Sequence, residues 1–350
     1  MCKLHYLFPL IISLGLAEPT FAGYTLTDLG MDEALGINSS GVVAGQVAGA
    51  NASLWENGTV ISLGNLGGIG QAESVNDNGQ VVGSSSTAGN INEYHAVLWN
   101  NGTISDLGTL GGTVSGAYKI NNSGQVVGVS YLAGDQAYHG FLWNNGTMTD
   151  LGTLGGVSSD ARSINNNGQI VGGSYLDGSV YHAYLWNNGT MTDLGTLGGN
   201  VSTGLGINNN GQVAGMSYLA GDSIYHAVLW SNGQMTDLGS LGGNSLAWGL
   251  NNVGQVVGDC NIAGTMNACL WTNGGITNLN SLLPQGSQWI LNEAFAINDS
   301  GQIVGTGTIN GEIHTYLLTP TAVPEPGSYG LMLSGVALIW WRAMRKKNTQ

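Results

Sequence analysis

The chain has 350 residues, of which 59 are Gly and only 8% are charged, so it is neither an ordinary globular mixture nor a charge-rich disordered chain; its 42% of hydrophobic residues suffice for a core. Acids outnumber bases 21 to 7, and between residues 23 and 323 Lys119 and Arg162 alone face 19 acidic residues, a balance of −17. A surface so acidic repels phosphate backbones and anionic headgroups, which argues against nucleic acid as a partner and leaves cations, neutral glycans and proteins.

The first segment, MCKLHYLFPLIISLGLAEPTFAG, has a short basic start, an apolar run and small residues near Ala22. Residues 1–22 therefore read as a signal peptide cleaved around Ala22. Cys2 stands at the wrong end of the run for a lipoprotein anchor.

From residue 23 to 319 the sequence repeats. Trp recurs at 55, 99, 143, 186, 230 and 271, in steps of 41 to 44 residues, with Leu318 in the seventh place. A Gly-Gln-Val-Val-Gly-like element starts at Gly41, Gly79, Gly124, Gly168, Gly211, Gly254 and Gly301. A period of this length signals a propeller or a solenoid. Each copy splits into four short runs: A-x-x-[I/V]-N, as in AYKIN at 117–121; QVVG; an aromatic-rich run such as YHGFLW at 138–143; and TMTDLG. NNSG or NNNG joins the first pair and NNG the last, and Asn and Gly tolerate the positive φ of tight hairpins. Four runs joined this way make an antiparallel meander.

The frame of the copies separates ring from solenoid. YTLTDLG at 24–30 is a fourth run without its first three, and HTYLL at 314–318 is a third run without its fourth. A ring uses this offset, because the N-terminal strand completes the last blade and no long edge stays open. The prediction is an all-β fold, a seven-bladed β-propeller of four-stranded antiparallel blades over residues 23–319, with an open β-solenoid as the alternative. The third run reads HAV at 95 and 226, HGF at 139 and HAY at 182, and the copies resemble the HAF family of extracellular repeats. The resemblance implies export and supplies no catalytic motif.

Residues that recur once per copy read as structural. His at 95, 139, 182, 226 and 314 and Asp at 28, 106, 150, 193 and 237 suggest catalytic pairs, yet Asn51 and Asn267 replace the His, and Ser62 and Asn278 the Asp. Replacement by neutral hydrogen-bonding groups points to local satisfaction of polar groups, without proton transfer. The Trp column reads as inter-blade core. No Lys-Ser/Thr follows the Gly-Gly pairs, which removes a phosphate loop. Asn101-Gly-Thr103 and its copies spell glycosylation sequons that turn chemistry explains equally well. Cys260 and Cys269 lie on adjacent runs of the sixth copy, where a disulfide and two buried thiols are even alternatives.

Function is sought where the copies disagree. The first variable place of A-x-x-[I/V]-N holds Leu35, Glu73, Tyr118, Arg162, Leu205, Trp248 and Phe295; the next is mostly small but holds Lys119. If this run is innermost, Glu73, Tyr118, Lys119, Arg162 and Trp248 gather at the central channel as a ligand patch, with aromatic faces for stacking and Arg162 for a carboxylate or acidic sugar. In the loops between second and third runs, Tyr131, Tyr175 and Tyr218 line a rim for glycan, and Asp135, Asp177 and Asp222 offer Ca²⁺ one carboxylate per loop, too few for a strong site. No other metal or cofactor is expected.

The tail, residues 320–350, carries a Val-Pro-Glu-Pro tetrad, about fifteen mainly apolar residues and a cluster of Arg and Lys, which suits a transient anchor with its positive end in the cytoplasm. It resembles the PEP-CTERM sorting signal, with Pro324, Glu325 and Pro326 matching the motif. That resemblance implies an exosortase as partner, transient inner-membrane anchoring by a C-terminal transmembrane helix, and final placement at the cell surface or outside the cell. The expected function is a non-catalytic binding or scaffold protein of the extracellular polysaccharide (biofilm) matrix, with polysaccharide or surface proteins as partners. The alternative is a polysaccharide lyase or glycoside hydrolase, for which a hydrolase needs two carboxylates about 5 to 10 Å apart; only Glu73, Glu93 and Glu293 stand outside the repeated columns.

Overall fold

The computed structural model describes residues 21–322 apart from 48, 50, 88, 89 and 274. Its strands form seven four-stranded antiparallel units, called blades 1 to 7 here, at 33–62, 67–106, 111–150, 159–193, 198–239, 245–278 and 290–322. In blades 1 to 6 the strands pair in chain order, first to fourth. Blade 7 has three strands of its own, Ile290–Ile297, Ile303–Ile309 and Glu312–Ala322, and takes its fourth from Phe21–Asp28 at the other end of the sequence. Leu29 N donates to Thr315 O at 3.1 Å, and Asp28 meets His314 Nδ1 at 2.8 Å across 286 residues. The offset of the sequence frame is thus the closure of the ring. The blades occupy the compact unit Tyr24–Pro320.

The Asn-Gly hairpins adopt the geometry their sequence demands. Asn145 and Gly146 have φ of 48° and 89°, the two consecutive left-handed residues of a type I′ turn.

Seven apolar clusters hold the ring, one at each blade interface; that between blades 2 and 3 contains Val82, Leu98, Ala117, Ile120, Val126 and Phe141. The repeated Trp belongs to these interfaces: Trp99, Trp230 and Trp271 are buried, and the Trp230 indole donates to Leu194 O of the preceding blade at 2.9 Å.

The Asn that ends each inner run adds a polar belt. Asn38, Asn76, Asn121, Asn165, Asn208, Asn251 and Asn298 each donate Nδ2 to the backbone oxygen of the next Asn at 2.9–3.2 Å, and Asn298 donates to Asn38 O. The seven bonds form a closed circle at one mouth of the channel. The residue after each Asn, exposed in all but the half-buried Asn252, adds a second circle with one gap among the described residues, as where Asn122 N donates to Asn166 Oδ1 at 2.9 Å.

Cys260 and Cys269, on the second and third strands of blade 6, are joined by a disulfide. The His–Asp pairs bridge third and fourth strands at 2.7–3.0 Å, and Asp106, Asp150, Asp193 and Asp237 each also accept the amide of the Gly two residues on.

One expectation is corrected. No helix among the described residues is long and apolar enough to cross a membrane, because the chain there is cut into strands of four to eleven residues and one 3₁₀ turn, Leu279–Leu282. The transient inner-membrane anchor and the localisation built on a transmembrane helix are therefore not supported. Pro324, Glu325 and Pro326, the rest of 323–350, and residues 1–20 lie outside the described residues.

Candidate ligand site

Every inner strand carries a β-bulge at the same place. In blade 4, Ala161 pairs with Gly172 and Ser163 with Val171, so Arg162 has no partner in the ladder. The same skip falls on Leu35, Glu73, Tyr118, Leu205, Trp248 and Phe295. A bulge re-aims the extra residue out of the pleat. Here all seven extra residues, one per blade, turn to a common cavity of about 220 Å³ on the ring axis. They are the seven residues of the first variable sequence position.

The glycine that closes the QVVG element makes room for the bulge. A Cβ on Gly172 would collide with the carbonyl oxygen of Asp160, and Gly45, Gly83, Gly128, Gly215, Gly258 and Gly305 meet the corresponding carbonyl in their own blades. The small column beside the bulge has a similar cause, since a Cβ on Gly36 would stand 2.7 Å from Glu73 O of the next blade. Lys119 is the long exception, and its side chain lines the channel.

The cavity is divided in cross-section. Blades 2 to 4 supply Glu73, Tyr118, Lys119 and Arg162, and blades 5, 6, 7 and 1 supply Leu205, Trp248, Phe295 and Leu35. On the polar side, the Arg162 guanidinium lies 4.8 Å from the centre of the Tyr118 ring and grips Asp160 Oδ2 through Nε at 2.7 Å and Nη2 at 2.6 Å. Asp160 is buried, whereas the Arg162 side chain is 41% exposed, so the pair presents its cation to the cavity and hides its anion. Asp160 also accepts Gly173 N at 3.0 Å. On the apolar side, Trp248 packs edge to face on Phe295 at 5.9 Å, and its indole donates to Asp259 Oδ1 at 2.7 Å, which fixes the ring plane.

Burial governs the charges. It pushes the Glu73 carboxyl up to about 7, helped by Glu33 and opposed by Arg162 and Lys119. It lowers the Lys119 ammonium, which Glu73 partly restores. It raises Asp259 to about 6, against the indole hydrogen bond and with help from Glu293. Lys119 makes no hydrogen bond or ion pair with any described residue.

The structure brings Glu73, Tyr118, Lys119, Arg162 and Trp248 to one cavity. Tyr131, Tyr175 and Tyr218 pair across their own blades with Tyr138, Tyr181 and Tyr225, ring centres 5.7, 4.8 and 5.3 Å apart. The first two pairs stand close to the Asp160–Arg162 pair: the Tyr138 phenol, raised first by burial, is raised further by Tyr175, Asp160 and Tyr131. The third stands near Asp259, which raises Tyr225 after burial does. Asp135 and Asp222 are spent on the inner strand, accepting from Thr113 N at 2.8 Å and Asn200 N at 2.6 Å, and no metal-holding group of His, Cys, Asp or Glu occurs among the described residues. Sequence reasoning missed Asp160 and Asp259, which anchor the two most distinctive side chains of the cavity. Asp160 was legible as the residue two before Arg162 on the same strand face; Asp259 needed the pairing of Leu246 with Asp259.

No family model and no curated protein matches the sequence. Among solved structures, the chain is similar to the β-propeller domain of the trilobed protease from Pyrococcus furiosus, described as having an open velcro topology, with a TM-score of 0.56 and 9% identity over 85% of this chain and 95% of that one. The fold is a β-propeller. The propeller is also similar to acylaminoacyl peptidase from Pyrococcus horikoshii, with a TM-score of 0.51 and 11% identity over 89% of this chain, and spans about half of that longer protein, 54%. At such identities the likeness is one of fold alone.

Proposed function

We propose that this propeller is a non-catalytic binding protein that holds a carboxylated glycan in the bulge-lined cavity. One observation carries the reading: seven residues that escape the strand ladders, one from each blade, share a single cavity and are the positions at which the repeats differ. A sevenfold frame whose seven side chains are of six kinds, with only Leu35 and Leu205 alike, is suited to recognising one asymmetric ligand. Trp248 and Phe295 give an apolar wall of the kind sugar rings stack on, and Arg162 and Lys119 give donors for a carboxylate. The cavity lining contains one carboxylate, Glu73, where glycoside hydrolysis uses two, which favours binding over hydrolysis.

The test is titration calorimetry of the protein with a panel of neutral and carboxylated polysaccharides, repeated on Arg162→Ala and Trp248→Ala. The expected result is binding to a carboxylated member that both substitutions weaken by about tenfold or more, the worth of one charge-assisted contact or one stacked ring. Binding that neither substitution changes would move the site elsewhere, and binding to none of the panel would refute the reading.

A hydrolase is the second reading, favoured by one observation: a carboxyl held at about 7 has the proton affinity a general acid needs. Release of reducing ends that Glu73→Gln abolishes would establish it.

A further inference from the structure

The cavity's size, its two-sided lining and the scarcity of positive charge around it bear together on how a glycan would be held. At about 220 Å³ it is smaller than the roughly 300–1,000 Å³ of sites that enclose a drug-sized molecule, so it has room for one unit of a chain and not for a stretch of it. Its cross-section opposes an apolar half, Trp248, Phe295, Leu205 and Leu35, to a charged half. A pyranose ring has the matching division, with C–H faces for the aromatic side and hydroxyl or carboxylate edges for the other.

The charges set the direction of entry. Lys119 and Arg162 are the only Lys and Arg residues between 23 and 323, and the 19 acids around them make the rest of that surface repel a polyanion. Arg162 engages Asp160 through Nε and Nη2, so its Nη1 edge has no partner among the described residues. Lys119, whose ammonium likewise has no hydrogen bond or ion pair among them, lines this cavity and also the Asn-lined recess of about 190 Å³ at the other mouth, so the residue stands between the two. A carboxylate reaches both donors only by entering the cavity.

We propose that the cavity takes the end of a glycan chain: a single terminal carboxylated sugar stacks on Trp248 and meets Lys119 and Arg162 with its carboxylate, while the neutral remainder of the chain leaves through the mouth opposite the asparagine belt. The inference rests on the binding function proposed above and adds the acidic unit, its terminal position and the neutrality of the units behind it. Chain length beyond the first units does not contribute, because nothing past the mouth attracts it.

The experiment compares four probes on the purified protein by calorimetry: an aldobiouronic acid (glucuronic acid linked to one neutral hexose), the neutral disaccharide of the same linkage, and galacturonic acid oligomers of two and six units. The expected result is one ligand per protein throughout, the aldobiouronic acid at least about tenfold tighter than its neutral analogue, and the hexamer no tighter than the dimer. Lys119→Met, with its fold checked by its urea midpoint, narrows the discrimination between acidic and neutral disaccharide several-fold, and Arg162→Ala added to it abolishes what is left. Equal affinity for those two disaccharides overturns the acidic unit. A hexamer more than tenfold tighter than the dimer, or several proteins on one hexamer, overturns end-on entry and leaves glycan binding standing. Binding of none of the four, where the polysaccharide panel above does bind, overturns end-on recognition alone; no binding in either experiment removes the glycan reading itself.

Discussion

Replacing Asn165 with Ala removes one link from the belt that closes the channel mouth. Four hydrogen bonds go with it: Nδ2 to Asn208 O at 2.9 Å, Nδ2 to Gln169 Oε1 at 2.8 Å, and two at 3.0 Å accepted by Oδ1 from the amides of Asn167 and Gln169. At about 0.5–1.5 kcal/mol net for each, the loss lies between roughly 2 and 6 kcal/mol. The amides of the turn are partly open to water, which replaces some of what they lose, whereas Asn208 O is buried between blades and is left without this donor. The expected cost is therefore about 3 kcal/mol, or on the order of 5–10 °C in Tm for a domain of this size. Asn166→Ala is the internal control: its side chain is exposed and accepts one bond, from Asn122 N at 2.9 Å, so it costs less than about 1 kcal/mol. Urea titration followed by tryptophan fluorescence reads both. A loss under about 1 kcal/mol for Asn165→Ala, or an equal loss for Asn166→Ala, refutes the belt as a source of stability.

The same geometry yields further expected outcomes. Gly172→Ala drives a methyl into Asp160 O and costs about 2–3 kcal/mol, together with ligand binding, because the bulge that aims Arg162 is displaced; Gly146→Ala, which meets open space at φ 89°, costs only backbone strain of about 1 kcal/mol and spares binding. Glu73 holds its proton in the folded state up to about 7, whereas the unfolded chain releases it near 4.5, so its contribution to stability falls as pH rises between those values. Glu73→Gln removes that slope: the variant matches the parent at pH 4 and exceeds it by up to about 3 kcal/mol at pH 8, measured by urea titration across pH. The double variant Cys260→Ser, Cys269→Ser opens a loop with a sequence separation of 9 and loses about 2–3 kcal/mol, an effect that reductant reproduces in the parent and not in the variant.

Much of this molecule was legible because each blade is written out as one copy. The spacing of Trp and of QVVG gave the blade number, and the stray TDLG run at the start gave the closure that Asp28 and His314 now show. The gathering of side chains at the channel was legible for a related reason. Glu73, Tyr118, Arg162 and Trp248 occupy a column in which the copies differ, and side chains that pack in a repeated interface cannot differ so freely. The bulge itself was not legible, because a skipped residue leaves no mark on hydrophobic periodicity; it emerges from the register between Ala161 and Ser163 and their partners. Asp259 was hidden for the same reason, since what makes it matter is the Trp248 indole it reaches across a strand and past a bulge, whereas the spacing of Asp160 and Arg162 stood in the sequence.

The bulge separates two demands that usually compete. A residue inside a ladder must suit its cross-strand neighbours, so changing it to alter recognition also alters the sheet. The seven bulged residues take no part in pairing, and the ring is held by clusters and an asparagine belt that do not include them. Their identities can drift while the ladders stay constant, although Trp248 packs on Phe295 and Arg162 lies over Tyr118, so the cavity is set by a few coupled groups carried on one frame. Proteins built on this repeat can diverge in what they hold without relearning how to fold, and a library randomised at Leu35, Glu73, Tyr118, Arg162, Leu205, Trp248 and Phe295 would explore new specificities on an unchanged scaffold.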